Sequence, residues 1–149
     1  MKLPVAFTLR QASVSDATLL YDLIDRTMRG FIVTTWGAWS ESRVQAESRE
    51  DISSPNAQVI SVGDVSVGVF IVERHPTHIH LDSLYLLPEY QRLGIGTALI
   101  NSLITEARQN KVPIRLRVIA VNPAKKFYEQ FGFIVTEATS EFFFMEKLT

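Results

Sequence analysis

Apolar positions along the chain follow two periods, and each change of period marks an element. Val5 to Leu9 is a short apolar run ending at Arg10 and reads as a first strand. Ser13-Val14-Ser15-Asp16 has the form of a capping box, with the Ser13 hydroxyl accepting from the Asp16 amide and the Asp16 carboxylate reaching back to the cap. Ala17, Leu20, Leu23, Ile24 and Met28 then recur at helical spacing and predict a helix to about Thr27, ended by Gly30. Phe31 to Trp39 shows no sustained period and reads as an ordered loop with room for a short helical turn. Ser40 is a cap for a second helix, Glu41 to about Asp51, charged on most faces, and Pro55-Asn56 marks a turn.

Beyond that turn the period drops to two. Gln58 to Val62 and Val65 to Glu73 are β-branched runs around Gly63-Asp64, the signature of a tight hairpin. His75-Pro76 turns the chain, and His78 to Leu86 makes another strand. Gly94 to Gln109 carries Ile95, Leu99, Leu103 and Ile104, a helix that opens on glycines rather than on a polar cap. Ile114 to Ala120 is a strand, Pro123 suits a first helical position, and Ala124 to Gln130 follows as a helix ended by Gly132. Phe133 to Thr136 and Phe142 to Leu148 are the last strands. The order β-α-α-β-β-β-α-β-α-β-β, three consecutive antiparallel strands and then strand–helix alternation, implies a mixed sheet of the α+β class.

Composition narrows the possibilities. A chain of 149 residues without a repeat or linker is expected to form a single domain over 1–149, and 46% hydrophobic with 21% charged residues suits a full core. A formal net charge of -1 lacks the basic excess of a sequence-independent nucleic-acid binder, and no polybasic membrane patch is present. The absence of cysteine excludes disulfides, thiolate metal ligands and a cysteine nucleophile. The N-terminus turns polar at Arg10 and Gln11, too early for a signal peptide, and no apolar run approaches the roughly 20 residues of a membrane span. A soluble, cytoplasmic protein is expected.

The most informative segment is Gln91-Arg92-Leu93-Gly94-Ile95-Gly96-Thr97, between a strand and an amphipathic helix. Glycines at 94 and 96 let the backbone approach a ligand closely, and the first helix amides have no intrahelical partner and carry the positive end of the macrodipole. Together they suit a phosphate or pyrophosphate, with Arg92 adding a charge-assisted contact. A P-loop would need Gly-Lys-Ser/Thr, and a dinucleotide fingerprint would need a small residue where Leu99 stands. Taken alone, the same glycines also suit a helix entry that merely packs tightly.

Leu84-Tyr85-Leu86-Leu87-Pro88-Glu89-Tyr90 running into this turn closely resembles the acetyl-CoA motif of the GNAT superfamily of N-acetyltransferases, Gln/Arg-x-x-Gly-x-Gly/Ala. Asn122-Pro123-Ala124 through Phe127-Tyr128-Glu129-Gln130 to Phe131-Gly132-Phe133 is similar to the C-terminal motif of that superfamily. The resemblance spans roughly residues 5–148, with its diagnostic part at 80–133, and implies a GNAT-like, mostly antiparallel central sheet flanked by helices. It implies a strand splayed at a bulge, with Leu84, Tyr85 and Leu86 offering backbone groups to pantetheine in the manner of strand addition. It implies that Gln91, Arg92, Leu93, Gly94, Ile95, Gly96 and Thr97 hold the pyrophosphate, and that Asn122 and Ala124 contact acetyl-CoA. Tyr128 would point its hydroxyl at the cofactor sulfur.

Transfer of an acyl group from a thioester to an amine needs a way to remove a proton, oxyanion stabilisation and an acid for the departing thiolate. Tyr128 suits the acid, because a phenol of pKa about 10 stays protonated where a thiol does not. A strand amide around Leu86 suits the oxyanion. His80 is the leading base, on a strand whose positions 80, 82, 84 and 86 share one face by the period of two, with Glu73 and Asp82 as alternatives. Phe31, Trp36 and Trp39 are candidates for lining the acceptor site together with Glu73, through apolar or cation–π contact, or else for packing the loop on the sheet. His75 and His78 lack the partners of a metal site, so no metal is expected. The expected activity is acetyl transfer from acetyl-CoA to a primary amine of a small molecule, peptide or protein. The alternatives are a non-catalytic acyl-CoA or effector-binding domain on the same fold and a nucleotide-binding protein. The Phe142-Phe143-Phe144 strand suits either a homodimer interface or a buried position.

Overall fold

The computed structural model describes residues 5–149. Its elements are β1 (Thr8–Gln11), α1 (Ala17–Trp36), α2 (Glu41–Ile52), β2 (Ala57–Val62), β3 (Val65–Arg74), β4 (Ile79–Leu86), α3 (Ile95–Asn110), β5 (Ile114–Ile119), α4 (Ala124–Glu129), β6 (Ile134–Ala138) and β7 (Phe142–Lys147). The strands form one mixed sheet in the order β1-β2-β3-β4-β5-β7-β6. All neighbours are antiparallel except β4 and β5.

Alternation along β3 assigns the two faces. Val67, Phe70 and Val72 join Leu99, Ile100, Leu103 and Phe133 in a cluster under α3 and α4. Val69 and Ile71 join Leu20, Leu23 and Ile52 in a second cluster under α1 and α2. The sheet is therefore buried on both sides through its middle, which is why β3 reads as a nearly continuous apolar run.

Most boundaries fall within two residues of the sequence reading, and two elements differ by more. The first strand begins at Thr8 instead of Val5 and is exposed throughout, because its role is to pair with β2 at the sheet edge through Thr8–Ser61 to Gln11–Gln58. The larger correction concerns α1, which runs through Gly30 to Trp36 and ends on Gly37, a left-handed residue at φ 82° whose amide bonds to the Val33 carbonyl at 2.7 Å. Glycine costs about 1 kcal/mol inside a helix. That cost is offset because Ile24, Thr27, Met28, Phe31 and Ile32 continue one helical stripe across it. Just ahead of α1 the capping box of Ser13 and Asp16 is present as expected, opening a short 3-10 turn over Val14–Asp16. The Asp16 carboxylate accepts from the Ser13 amide at 2.8 Å, while the Asp16 amide bonds to the Ser13 carbonyl at 2.9 Å.

The feature that shapes the site lies between β4 and β5. Their parallel ladder pairs only Ile79 with Ile114 and His80 with Arg115. Beyond His80 the two strands part, while β5 remains fully paired to β7 on its other edge. A bulge starts the divergence: Ile71 pairs with Ser83 but Val72 with Leu81, which leaves Asp82 as the extra residue in β4. Gly68, opposite Leu86, holds β3 close to β4 there, since a Cβ on it would lie 2.4 Å from the Tyr85 carbonyl oxygen.

Candidate active site

The parted strands open a cleft of about 920 Å³ roofed by α1 and α2 and floored by α3 and α4. Each wall has a local origin. On β4 the bulge shifts the alternation, so Leu84 and Leu86 pack toward α3 while Tyr85 packs toward α1. His80 is consequently off the face that carries Leu84 and Leu86, contrary to the simple period of two. The extra residue at Asp82 reverses the register of faces.

At one end of the cleft, Gln91, Arg92, Gly94, Gly96 and Thr97 form the turn into α3. The Gln91 side chain donates to the Leu86 carbonyl at 3.0 Å and so ties the turn to the end of β4. Arg92 and Gly94 both lie in the left-handed region, at φ 62° and 88°. For an arginine this is an uncommon, strained conformation of the kind that clusters at functional sites. The first intrahelical bond runs from the Ala98 amide to the Gly94 carbonyl at 3.0 Å, so the amides of Ile95, Gly96 and Thr97 precede the ladder. Gly96 also lets α3 approach α4, a Cβ there lying 3.4 Å from the Phe127 ring.

On the far wall, Asn122 follows β5 and spends its side-chain oxygen on the Ala124 amide at 2.9 Å, which starts α4. Its amide nitrogen faces the Met28 sulfur at 3.6 Å, a weak acceptor. Tyr128 on α4 is 8% exposed and wedged edge-on between Phe127 and Phe133. Its hydroxyl lines the cleft without a hydrogen-bond partner among the described residues, and burial, with Tyr85 second, pushes it far above the usual phenol range. Tyr85 is itself pushed up to about 12, by burial first and then by Asp82 and Asp51.

The sequence-predicted residues separate cleanly by position. Phe31, Trp36, His80, Leu84, Tyr85, Leu86, Gln91, Arg92, Gly94, Gly96, Thr97, Asn122, Ala124 and Tyr128 all line the cleft, as does Asp82. Leu93 and Ile95 do not, because the Leu93 side chain turns to solvent and Ile95 is a core residue, leaving only their backbones near the turn. Glu73 also lies outside: it sits beside His80 in the ladder, but its carboxylate faces His75 at 3.3 Å. Trp39 packs on Tyr21 with the Arg29 guanidinium 4.5 Å over its ring, away from the cleft. Sequence reasoning missed Met28 and Ile32 on α1, Glu47 and Asp51 on α2, Arg117 on β5 and Phe142 among the lining residues. The α1 stripe was available as a signal once Gly30 is allowed inside the helix, and Glu47 and Asp51 stand four apart on one helix face.

A mixed sheet parted beside a glycine turn, with helices on both faces, defines the fold of an N-acyltransferase domain. A family model described as the acetyltransferase (GNAT) domain matches residues 24–145, and the chain belongs to that family. Solved structures agree on the fold. The PaiA N-acetyltransferase of Thermoplasma acidophilum, solved in complex with coenzyme A, is 21% identical over 97% of this chain and 99% of its own, with a TM-score of 0.73. A GCN5-related N-acetyltransferase from Rhodopseudomonas palustris is 16% identical over 100% and 99%, with a TM-score of 0.75. Arabidopsis thaliana Naa50, in complex with the bisubstrate analogue CoA-Ac-MVNAL, is 18% identical over 97% and 100%, with a TM-score of 0.68. No curated protein sequence matches the chain. Among the described residues no group of side chains suits a metal ion, and no helix is long and apolar enough to cross a membrane.

Proposed function

We infer that this protein transfers an acetyl group from acetyl-CoA to a primary amine by direct attack. The observation that carries this reading is the divergence of β4 from β5 after His80, which leaves strand backbone unpaired in the same cleft that the buried Tyr128 lines. The donor fits the chain at three points. Free amides at 95–97 with Arg92 suit the pyrophosphate, the open β4 edge at Leu84 to Leu86 suits the pantetheine amides, and Asn122 has a donor facing only a sulfur. Structures of the same fold were solved with coenzyme A and with a CoA-containing analogue.

In this mechanism the neutral amine attacks the thioester carbonyl, a C–N bond forms, and the C–S bond breaks. A β4 amide near Leu86 holds the oxyanion, and Tyr128 gives its proton to the leaving thiolate. His80, with the Asp82 carboxylate 4.0 Å from its Nε2, takes the amine proton through water in the open cleft. The raised pKa of Tyr128 favours its protonated form in the resting site.

Replacement of Tyr128 by Phe tests the assignment. Turnover, followed as free thiol from acetyl-CoA, is expected to fall by about 10²-fold or more, with CoA affinity unchanged within about threefold. An unaltered rate would remove Tyr128 as the acid. Tight CoA binding with no amine-dependent thiol release from the unmodified protein would favour a binding domain over an enzyme.

A further inference from the structure

The chain ahead of β1 makes a contact that the sheet does not require. Thr8 opens β1, so Val5, Ala6 and Phe7 lie outside its ladder. Phe7 packs against the cluster beneath α3, and the Val5 amide donates to the Leu93 carbonyl at 3.0 Å. The bond is long-range in the fold as well as in the sequence, because β2 and β3 separate β1 from β4, whose end leads into the glycine turn. It also reaches the most strained part of that turn. Leu93 stands between Arg92 and Gly94, both left-handed at φ 62° and 88°. Such a conformation persists in an arginine only where its surroundings hold it. Two ties do so here, one on each side: the Gln91 side chain on the Leu86 carbonyl at 3.0 Å, and the Val5 amide on Leu93.

The second tie has a directional consequence. In a planar trans peptide the carbonyl and the following N–H point in opposite directions. Fixing the Leu93 carbonyl toward Val5 therefore aims the Gly94 amide away from the N-terminal segment. That amide has no backbone acceptor among the described residues, and Gly94 lines the cleft. It stands directly ahead of the amides of Ile95, Gly96 and Thr97, so one pinned peptide adds a fourth donor to the same anion cradle. Resting on the reading of 91–97 as the pyrophosphate cradle, we propose that Val5 is a positioning residue for acetyl-CoA. Its backbone amide holds the Leu93–Gly94 peptide in the orientation that receives the pyrophosphate. The effect belongs to the main chain, so the side chain at position 5 is immaterial to it.

Val5→Pro removes the amide hydrogen, whereas Val5→Ala keeps it. CoA, and pantetheine as the same ligand without its pyrophosphate, are titrated calorimetrically against the full-length proteins. Val5→Pro is expected to bind CoA about fivefold more weakly than the parent, with Val5→Ala within about twofold of it. Pantetheine is expected to bind all three proteins equally. Equal weakening of both ligands would mean a general loosening of the structure, and that result, or an unchanged CoA affinity in Val5→Pro, overturns the proposal. A parent that binds CoA no more tightly than pantetheine overturns the pyrophosphate reading of the turn, and the proposal with it. The unmodified protein supplies a reciprocal measurement that does not depend on the folding of a variant. Because coupling is mutual, saturating CoA is expected to slow hydrogen exchange of the Val5 amide by the same factor of about five, while pantetheine leaves it unchanged. Exchange at Val5 that is indifferent to CoA refutes the coupling.

Discussion

Asp51 shows how one residue answers to its surroundings more than to its type. Its carboxyl is pushed up to about 6, by partial desolvation at the cleft wall first and then by the facing charges of Asp82, Glu47 and Glu50. Raised above the ordinary value of about 4, the folded state holds a proton that the unfolded state has already released between those two pH values. The stability this supplies is complete below about pH 4 and is lost as pH rises through about 6. Asp51→Asn removes the charged form, so at pH 7 the variant is expected to unfold at a higher temperature than the parent. Allowing for the exposure of Asp51 and its solvent screening, the gain is about 1 kcal/mol, or about 3 °C. The difference should vanish near pH 4, as thermal unfolding across a pH series would reveal. Asp16 behaves in the opposite sense: the Arg10 guanidinium, at 2.8 and 2.9 Å, is the largest cause holding its carboxyl down at about 2.

At the scale of elements, α1 carries two glycines with opposite demands. Gly30 is an exposed helical position where an added Cβ meets nothing within 4 Å, so Gly30→Ala is expected to stabilise the protein by about 0.5–1 kcal/mol. Gly37 ends the helix at φ 82°, where an L side chain is strained, and Gly37→Ala is expected to cost about 1 kcal/mol. Urea denaturation of the pair checks both signs, and two losses would mean that α1 stops before Gly30. The comparison bears on function because Phe31, Ile32 and Trp36 reach the cleft only if the helix continues past Gly30. Read as a loop breaker, Gly30 concealed a wall of the site. The strand β4 shows the same kind of dependence: its bulge at Asp82 is invisible to a period of two and yet decides which side chains face α1.

Over the whole molecule, the sheet consists of two well-paired parts, β1 to β4 and β5 to β7, joined by two ladder positions. A ligand that inserts between β4 and β5 supplies the missing backbone partners. CoA at about 100 times its Kd is therefore expected to raise stability by about 2.7 kcal/mol. Amides at 84–86 are expected to slow in hydrogen exchange in its presence. Protection confined to the turn at 91–97 would limit the contact to the pyrophosphate.

The order of elements, the α+β class and the two motif blocks were legible in the sequence because they depend on local periodicity and on glycine, asparagine and proline at element ends. Gly63-Asp64, Gly94 and Gly132 mark their turns through backbone conformations that neighbours a few residues away dictate. That Tyr128 and the glycine turn would line one cleft was legible through the resemblance of the two motif blocks to the family pattern, since the turn taken alone suits tight packing equally well. The positions of Trp39 and Glu73 were not, because an aromatic or a carboxylate serves packing and chemistry equally well, and only the neighbours brought by other elements choose between them. Trp39 found Tyr21 and Arg29, and Glu73 found His75. The placing of Asp51 and Asp82 on one cleft belongs wholly to the tertiary structure. It joins α2 to β4 across a gap that exists because two parallel strands diverge, and no local pattern records where a ladder stops.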